Sequence, residues 1–329
     1  MSPSFTNCPR NGKKYFNPHI KDSYRGIKDM LLWKCGYYNK TNQRPSVPNG
    51  FSYPNVKEVV DMNHPTVTWI NHTTFLLEID GIHFLTDPIW SKRCSPVQFV
   101  GPSRLHTVPI ELDELPKIDY VFISHNHYDH LDDYTVMELY ERNTEIVWFV
   151  PEGVKKWFSK RGISKAIEFS WWESIEVSPT WKVTAVPAQH FSGRAPWDYN
   201  ESLWLGYVIE IQRGNGQQKR IYFAGDTGYN SHDFAAIGSR FSCMDLSLIP
   251  IGAYLPREFM SPVHIDPKEA VQIHLEVNSK LSVSSHWKTF RLTDEKVMQP
   301  PYDLFLALQQ QKLDPKVFRV LDPGHAINW

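Results

Sequence analysis

The chain has 329 residues, 41% of them hydrophobic and 14% aromatic, which suits one large α/β domain with an appended segment rather than two full domains. Its 35 Lys and Arg nearly balance 36 Asp and Glu, for a formal charge of −1, and no run approaches the roughly 18 apolar residues that would span a bilayer. Cys8, Cys35, Cys94 and Cys243 are scattered and form no C-x-x-C pair, so neither a thiolate zinc knot nor a disulfide framework is suggested, and with no secretory signal read at the start a reducing intracellular setting is expected.

The small total charge hides an asymmetry. Residues 1–57 hold ten Lys or Arg (Arg10, Lys13, Lys14, Lys21, Arg25, Lys28, Lys34, Lys40, Arg44, Lys57) against Asp22 and Asp29, leaving 25 basic and 34 acidic residues to the rest. An acidic body argues against nucleic-acid binding. The basic segment either packs on that body or meets anionic lipid headgroups, where each basic residue adds about 1 kcal/mol.

In chain order, residues 1–55 show no sustained period of 2 or 3.6 and read as a basic, irregular extension, with the catalytic domain at 56–329. Strands are predicted at 66–70, 75–79 and 82–86, with Asp80-Gly81 giving a hairpin signal between the last two. Further strands are expected at 119–124, 146–150, 182–186, 205–211, 220–224, 246–251 and 280–284, with helix-like segments between them. One helix start is explicit: Asp266-Pro267-Lys268-Glu269 combines an N-cap acid, Pro at the first helical position and Glu at the third.

The two halves echo each other. Phe75-Leu-Leu-Glu-Ile with His83-Phe-Leu-Thr-Asp87 resembles Tyr207-Val-Ile-Glu-Ile with Tyr222-Phe-Ala-Gly-Asp226, each hairpin ending in an aspartate. The strand that delivers His125 likewise parallels the strand that delivers His286. A duplicated half follows: two sheets face to face, helices outside, and a site where strand ends meet.

The chemistry concentrates in His125-Asn126-His127-Tyr128-Asp129-His130, four metal-ligand side chains within six residues at the end of a predicted strand. Imidazole and carboxylate suit Zn²⁺, with Fe or Mn able to substitute. Alternate residues of an irregular loop can face one way and the Asp129-His130 pair another, so one loop can serve two metals. Closing two sites needs more donors, and His190, Asp226 and His286 each follow a predicted strand. Asp226, with two oxygens and Gly225 and Gly228 beside it, is the natural bridge. Asp87 is either an acceptor for a ligating histidine's other N–H or a turn acid before Pro88. His264 on its own reads equally as a surface histidine before the capped helix.

The cluster is the metallo-β-lactamase superfamily signature. With Thr86-Asp-Pro-Ile-Trp90, Ser95-Pro-Val-Gln-Phe-Val-Gly-Pro102, Phe223-Ala-Gly-Asp-Thr-Gly-Tyr229 and Ile249-Pro-Ile-Gly-Ala-Tyr254, the chain resembles the N-acyl phosphatidylethanolamine-hydrolysing phospholipase D family over roughly residues 64–328. The resemblance implies an αββα four-layer sandwich of two mixed sheets, and two zinc ions. His125, His127 and His190 would hold one, Asp129, His130 and His286 the other, and Asp226 both. It also implies substrate contacts at Tyr128, His264 and Gln98, with Asp129 and His264 in catalytic roles.

The expected reaction is phospholipase D-type hydrolysis, in which a metal-bridging hydroxide attacks phosphorus and releases phosphatidic acid and an N-acylethanolamine. His264 would protonate the leaving alkoxide. A hydrolase of soluble lactones or other phosphodiesters on the same fold is the alternative. Partners expected are the phospholipid and, peripherally, an anionic membrane surface; a homodimer is allowed. The basic arm with Trp33, Tyr37, Tyr38, Trp90 and Phe99 would serve docking, unless these aromatics belong to the core. Arg194 would meet a phosphate or carboxylate, or be a solvated loop arginine.

Overall fold

In a computed structural model that describes residues 6–20, 26–38, 44–55, 59–61 and 63–329, the extension opens on a hairpin, β1 (Arg10–Asn11) and β2 (Lys14–Tyr15), then helix α1 (Ile27–Lys34). The extension is therefore not wholly irregular. A two-turn helix is too short to show a sustained apolar period, and α1 is held by its start, where the Asp29 carboxylate accepts the Gly26 N–H at 3.1 Å. Arg10 pairs with Glu152, and Arg44 with Asp266 at 2.9 Å, so two of the basic residues do pack on the body. Lys21, Arg25, Lys40 and Lys57 lie outside the described residues. Among the described residues no helix is long and apolar enough to cross a membrane.

The first half of the body contains β3 (Thr66–Asn71), β4 (Thr74–Ile79), β5 (Ile82–Thr86), β6 (Tyr120–Phe122), α2 (Asp133–Arg142), β7 (Val147–Pro151), α3 (Lys155–Ser159) and β8 (Ala166–Phe169). The second contains β9 (Ser174–Ser178), β10 (Trp181–Val186), β11 (Gly206–Gln212), β12 (Gln218–Phe223), α4 (Asp233–Phe241), β13 (Leu246–Pro250), α5 (Arg257–Met260), α6 (Pro267–Glu276), β14 (Ser282–Ser285), α7 (Gln299–Gln310) and β15 (Phe318–Arg319). The last strand, β16 (Ala326–Asn328), returns to pair with β3.

Two mixed seven-stranded sheets result, ordered β16-β3-β4-β5-β6-β7-β8 and β9-β10-β11-β12-β13-β14-β15. In each, the first three pairings are antiparallel and the last three parallel. The expected duplication thus holds, strand for strand, with one correction. Strand β14, which delivers His286, matches β7; the partner of β6 is β13. Resemblance between two short apolar strands ending in histidine reports composition, whereas the correspondence is set by pairing order.

The inner faces meet in one core, with Phe122 against Tyr207 at 5.2 Å and Phe84 against Trp181 at 5.8 Å between ring centroids. On the outer face of the first sheet, Val121, Ile123 and Trp148 pack under Val136, Leu139 and Phe158 of α2 and α3. Ile237, Ile273 and Leu304 of α4, α6 and α7 pack into the core on the side of the second sheet. Both faces of the central strands are therefore buried, which is why they read as continuous apolar runs rather than alternating ones. Within these two sheets, the strands that sequence reasoning missed, β8, β9, β15 and β16, are the outermost of each. They are short or half-exposed, and carry little apolar signal. The α6 start is as predicted: Asp266 accepts the Glu269 N–H and Glu269 accepts the Asp266 N–H, each at 3.0 Å.

Candidate metal centre

The six-residue loop leaves β6 and enters α2 at Asp132, whose carboxylate accepts the Ser91 hydroxyl at 2.7 Å and N–H at 3.1 Å. Those contacts pin the end of the loop. Its beginning is pinned by Asp87, which follows β5 and accepts the Ser124 N–H at 2.7 Å and hydroxyl at 2.6 Å. Asp226 follows β12, the strand that matches β5. Between Ser124 and Asp226 lies Gly225, at φ +61° and so close that a Cβ there would sit 2.5 Å from Ser124 Cβ. Only glycine lets the two strand ends approach so closely.

Two sets of donors converge. In one, His125 Nε2 lies 2.8 Å and His190 Nε2 3.3 Å from His127 Nδ1. The other groups His72, Asp129, His130 and His286, whose donor atoms all lie within 4.8 Å of one another. Asp226 touches both sets: its Oδ2 is 3.0 Å from His286 Nε2, 3.3 Å from His130 Nε2 and 3.8 Å from His190 Nε2. His264 Nδ1 is 3.8 Å from the same oxygen.

Outer partners fix the rings. His190 Nδ1–H donates to the Val263 carbonyl at 2.8 Å, leaving the Nε2 lone pair facing inward, and His130 Nδ1 is 2.7 Å from Asp87 Oδ2. Asp87 is thus no bare turn acid. From the extension, Asn17 Nδ2 donates to the His190 carbonyl at 2.7 Å.

The electrostatics separate the two sets. Burial pushes His125 well below the ordinary imidazole range, and takes His127 down to about 3 and His190 to about 4. Burial also opposes charge on His130 and His286, yet Asp226 and Asp129 beside them raise His130 well above its usual range and His286 to about 9. For the two carboxyls burial acts upward, and is overcome by the same imidazoles, which hold both well below the carboxylate range.

His130 Nε2, His286 Nε2 and Asp226 Oδ1 are buried without a hydrogen-bond partner. Unfilled donor atoms in such a place are costly, and a metal ion satisfies all of them at once. A buried set of imidazole nitrogens and carboxylate oxygens is what Zn²⁺, Fe or Mn takes.

All seven residues predicted to hold metal therefore meet in one place, with His264 beside them. Tyr128 sits in the same loop, its hydroxyl donating to the Arg194 carbonyl at 3.2 Å. Arg194 fits neither sequence expectation. Its guanidinium is 3.9 Å from the Tyr128 ring centroid, and Nη1 donates to the Asn126 and Leu131 carbonyls at 3.0 and 2.7 Å, clamping both ends of the loop. Gln98 is exposed, and its amide closes onto the Arg93 backbone, accepting the N–H at 2.9 Å and donating to the carbonyl at 3.0 Å. That places its polar atoms in a local turn rather than with the cluster. Trp90 is a core residue, its Nε1–H donating to the Ile110 carbonyl, whereas Phe99 and Tyr37 are exposed. His72 was missed by sequence reasoning. The signal was present, since His72 also follows a predicted strand, as His125 and His286 do.

The family of β-lactamase superfamily domains matches residues 83–287. The chain is 34% identical to "N-acyl-phosphatidylethanolamine-hydrolyzing phospholipase D 1" of Caenorhabditis elegans, over 95% of this chain and 91% of that protein. It is 34% identical to the mitochondrial N-acyl-phosphatidylethanolamine-hydrolyzing phospholipase D of Saccharomyces cerevisiae, over 71% of this chain and 49% of that one. Among solved structures, Igni18, a metallo hydrolase from the archaeon Ignicoccus hospitalis, superposes with a TM-score of 0.59 at 20% identity, covering 80% of this chain and 98% of its own. Fold and site together define a metal-dependent hydrolase of the metallo-β-lactamase fold. Within that class, the chain belongs to the N-acyl phosphatidylethanolamine-hydrolysing phospholipase D family.

Proposed function

We propose that this enzyme is a zinc-dependent phosphodiesterase that hydrolyses N-acyl phosphatidylethanolamine to phosphatidic acid and an N-acylethanolamine at a membrane surface. The observation that carries the reading is Asp226, whose carboxylate lies between the two donor sets in a chain whose relative bears that activity in its name. His125, His127 and His190 would hold one metal, Asp129, His130 and His286 the other, with Asp226 shared. A pair of divalent ions there supplies Lewis acidity toward phosphoryl oxygens and a water acidic enough to attack at neutral pH.

The chain's own residues supply position and hydrogen bonds. Burial pushes the His264 imidazole well below its usual range, with Asp226 pulling the other way, so at neutral pH it is uncharged. A neutral ring would serve as a hydrogen-bond donor to the leaving oxygen as charge develops there, and water would supply the proton that the alkoxide takes up. Tyr128, held by Arg194 over one ring face, borders the phosphate. The exposed Phe99 and Tyr37, with the exposed Lys13 and Lys28 of the extension, offer contacts to an anionic lipid surface.

The test is turnover of purified protein on N-acyl phosphatidylethanolamine, a short lactone and a generic phosphodiester, with and without chelator. Chelator-sensitive turnover of the phospholipid with little of the others supports the proposal. Preference for the lactone or the soluble diester would replace the substrate assignment, and chelator-insensitive turnover would remove the metals.

A further inference from the structure

The pairing order of the two sheets makes β3 the counterpart of β10 and β5 the counterpart of β12. Asp87 and Asp226 follow β5 and β12. By the same rule His72, directly after β3, stands where His190 stands after β10. The two histidines then differ in what they face. His190 turns its Nε2 toward His127 and Asp226. His72 turns its Nε2 toward one atom, Asp129 Oδ2, at 2.9 Å.

The partner, more than the distance, marks the role: His125 and His127 approach each other as closely, but an imidazole N–H that faces a carboxylate oxygen can donate to it. Two ligands of one tetrahedral metal, each about 2.0–2.1 Å from it, lie roughly 3.3 Å apart. His130 and His286 sit 3.4 and 3.5 Å from Asp129 Oδ2, the spacing of ligands that share an ion. His72, at 2.9 Å, is at hydrogen-bond distance. An ionised carboxylate can only accept, so the His72 Nε2 carries the proton.

The backbone of His72 reaches a second candidate ligand. Its carbonyl accepts the His286 N–H at 2.9 Å, and its own N–H donates to Thr289 Oγ1 at 2.7 Å. The ring is 1% exposed and lies 4.1 Å from the His286 ring. The residue holds φ +43°, in the left-handed region that favours glycine, so a large side chain is kept at a tight turn at some cost.

Resting on the metal-site reading above, we infer that His72 is a positioning residue for the Asp129–His130–His286 half of the centre. Its ring N–H orients the Asp129 carboxylate while its carbonyl ties down the His286 backbone. One turn of the first hairpin thereby aligns ligands drawn from both halves of the chain. It contributes no lone pair to the metal.

Chelator competition with Zn²⁺ on the full chain tests this without reference to turnover. The wild type should bind two equivalents; fewer would remove the metal-site reading itself, and this inference with it. H72L, which deletes the N–H, should weaken one equivalent by about 10- to 100-fold and leave the other unchanged. H72Q, which keeps an N–H of similar reach, should stay within about threefold of the wild type. Loss in H72Q as large as in H72L would mean that the lone pair matters and His72 is a ligand, which overturns the proposal, as would two unchanged equivalents in H72L. If near-ultraviolet circular dichroism shows H72L unfolded, H72N serves in its place, its amide being too short to reach Asp129.

Discussion

The two halves of this molecule share one strand order but furnish the metal centre in opposite ways. The first half concentrates His125, His127, Asp129 and His130 in a single loop after β6, braced by Asp87 and Arg194. The second spreads His190, Asp226 and His286 over the ends of β10, β12 and β14. A compact loop can keep its shape through local contacts. Dispersed donors converge only when the whole second sheet is formed, so the centre as a unit reports on the fold of both halves.

The strongest test of that contrast is Asp226, whose carboxylate oxygen lies beside members of both sets. D226A should abolish turnover and release both metal equivalents, measured by elemental analysis after gel filtration. The double substitution D129A/H130A should also abolish turnover but keep one equivalent, because His125, His127 and His190 remain. If D226A kept both metals, the bridge between halves would be wrong.

Next in size is H264A, expected to lower kcat by about 10²-fold or more with both metals retained, as for loss of a hydrogen-bond donor to developing charge. Loss of metal in H264A would make it a ligand instead. D87N should weaken one equivalent by about 10- to 100-fold through loss of the His130 partner, read by chelator titration.

The smallest effect separates the two donor sets by their protons. His286 near 9 and His130 above its ordinary range are protonated at pH 7 before metal binds, while His127 near 3 and His190 near 4 are not. Ligation requires the neutral ring. Filling the second set should therefore release protons at pH 7, with affinity falling as pH drops below about 9; filling the first should release none from its imidazoles and hold its affinity down to about pH 5. Calorimetry in buffers of different ionisation enthalpy measures this, and equal release from both sets would contradict the assignment.

The same contrast explains what was legible in the amino-acid sequence. The loop of residues 125–130 could be read directly because its donors are contiguous, and His190, Asp226 and His286 could be found because each ends an apolar strand. Asp87 stayed ambiguous until its contact with His130 was seen, since a carboxylate before proline looks the same in a turn. His72 escaped notice because it sits at a hairpin tip, where polar residues are expected. Arg194 was misjudged because loop arginines are usually solvated, and here the cation instead meets two carbonyls and an aromatic ring. The outermost strands and α1 were hidden for a simpler reason: short, half-exposed elements bury too little apolar surface to leave a periodic signal.

The measurement that bears most directly on the central claim is metal content against turnover of N-acyl phosphatidylethanolamine during stepwise reconstitution of stripped enzyme. The account predicts no turnover without metal and full activity only as the second equivalent of Zn²⁺ is bound. Full turnover by stripped protein, or a plateau at one equivalent, would contradict it.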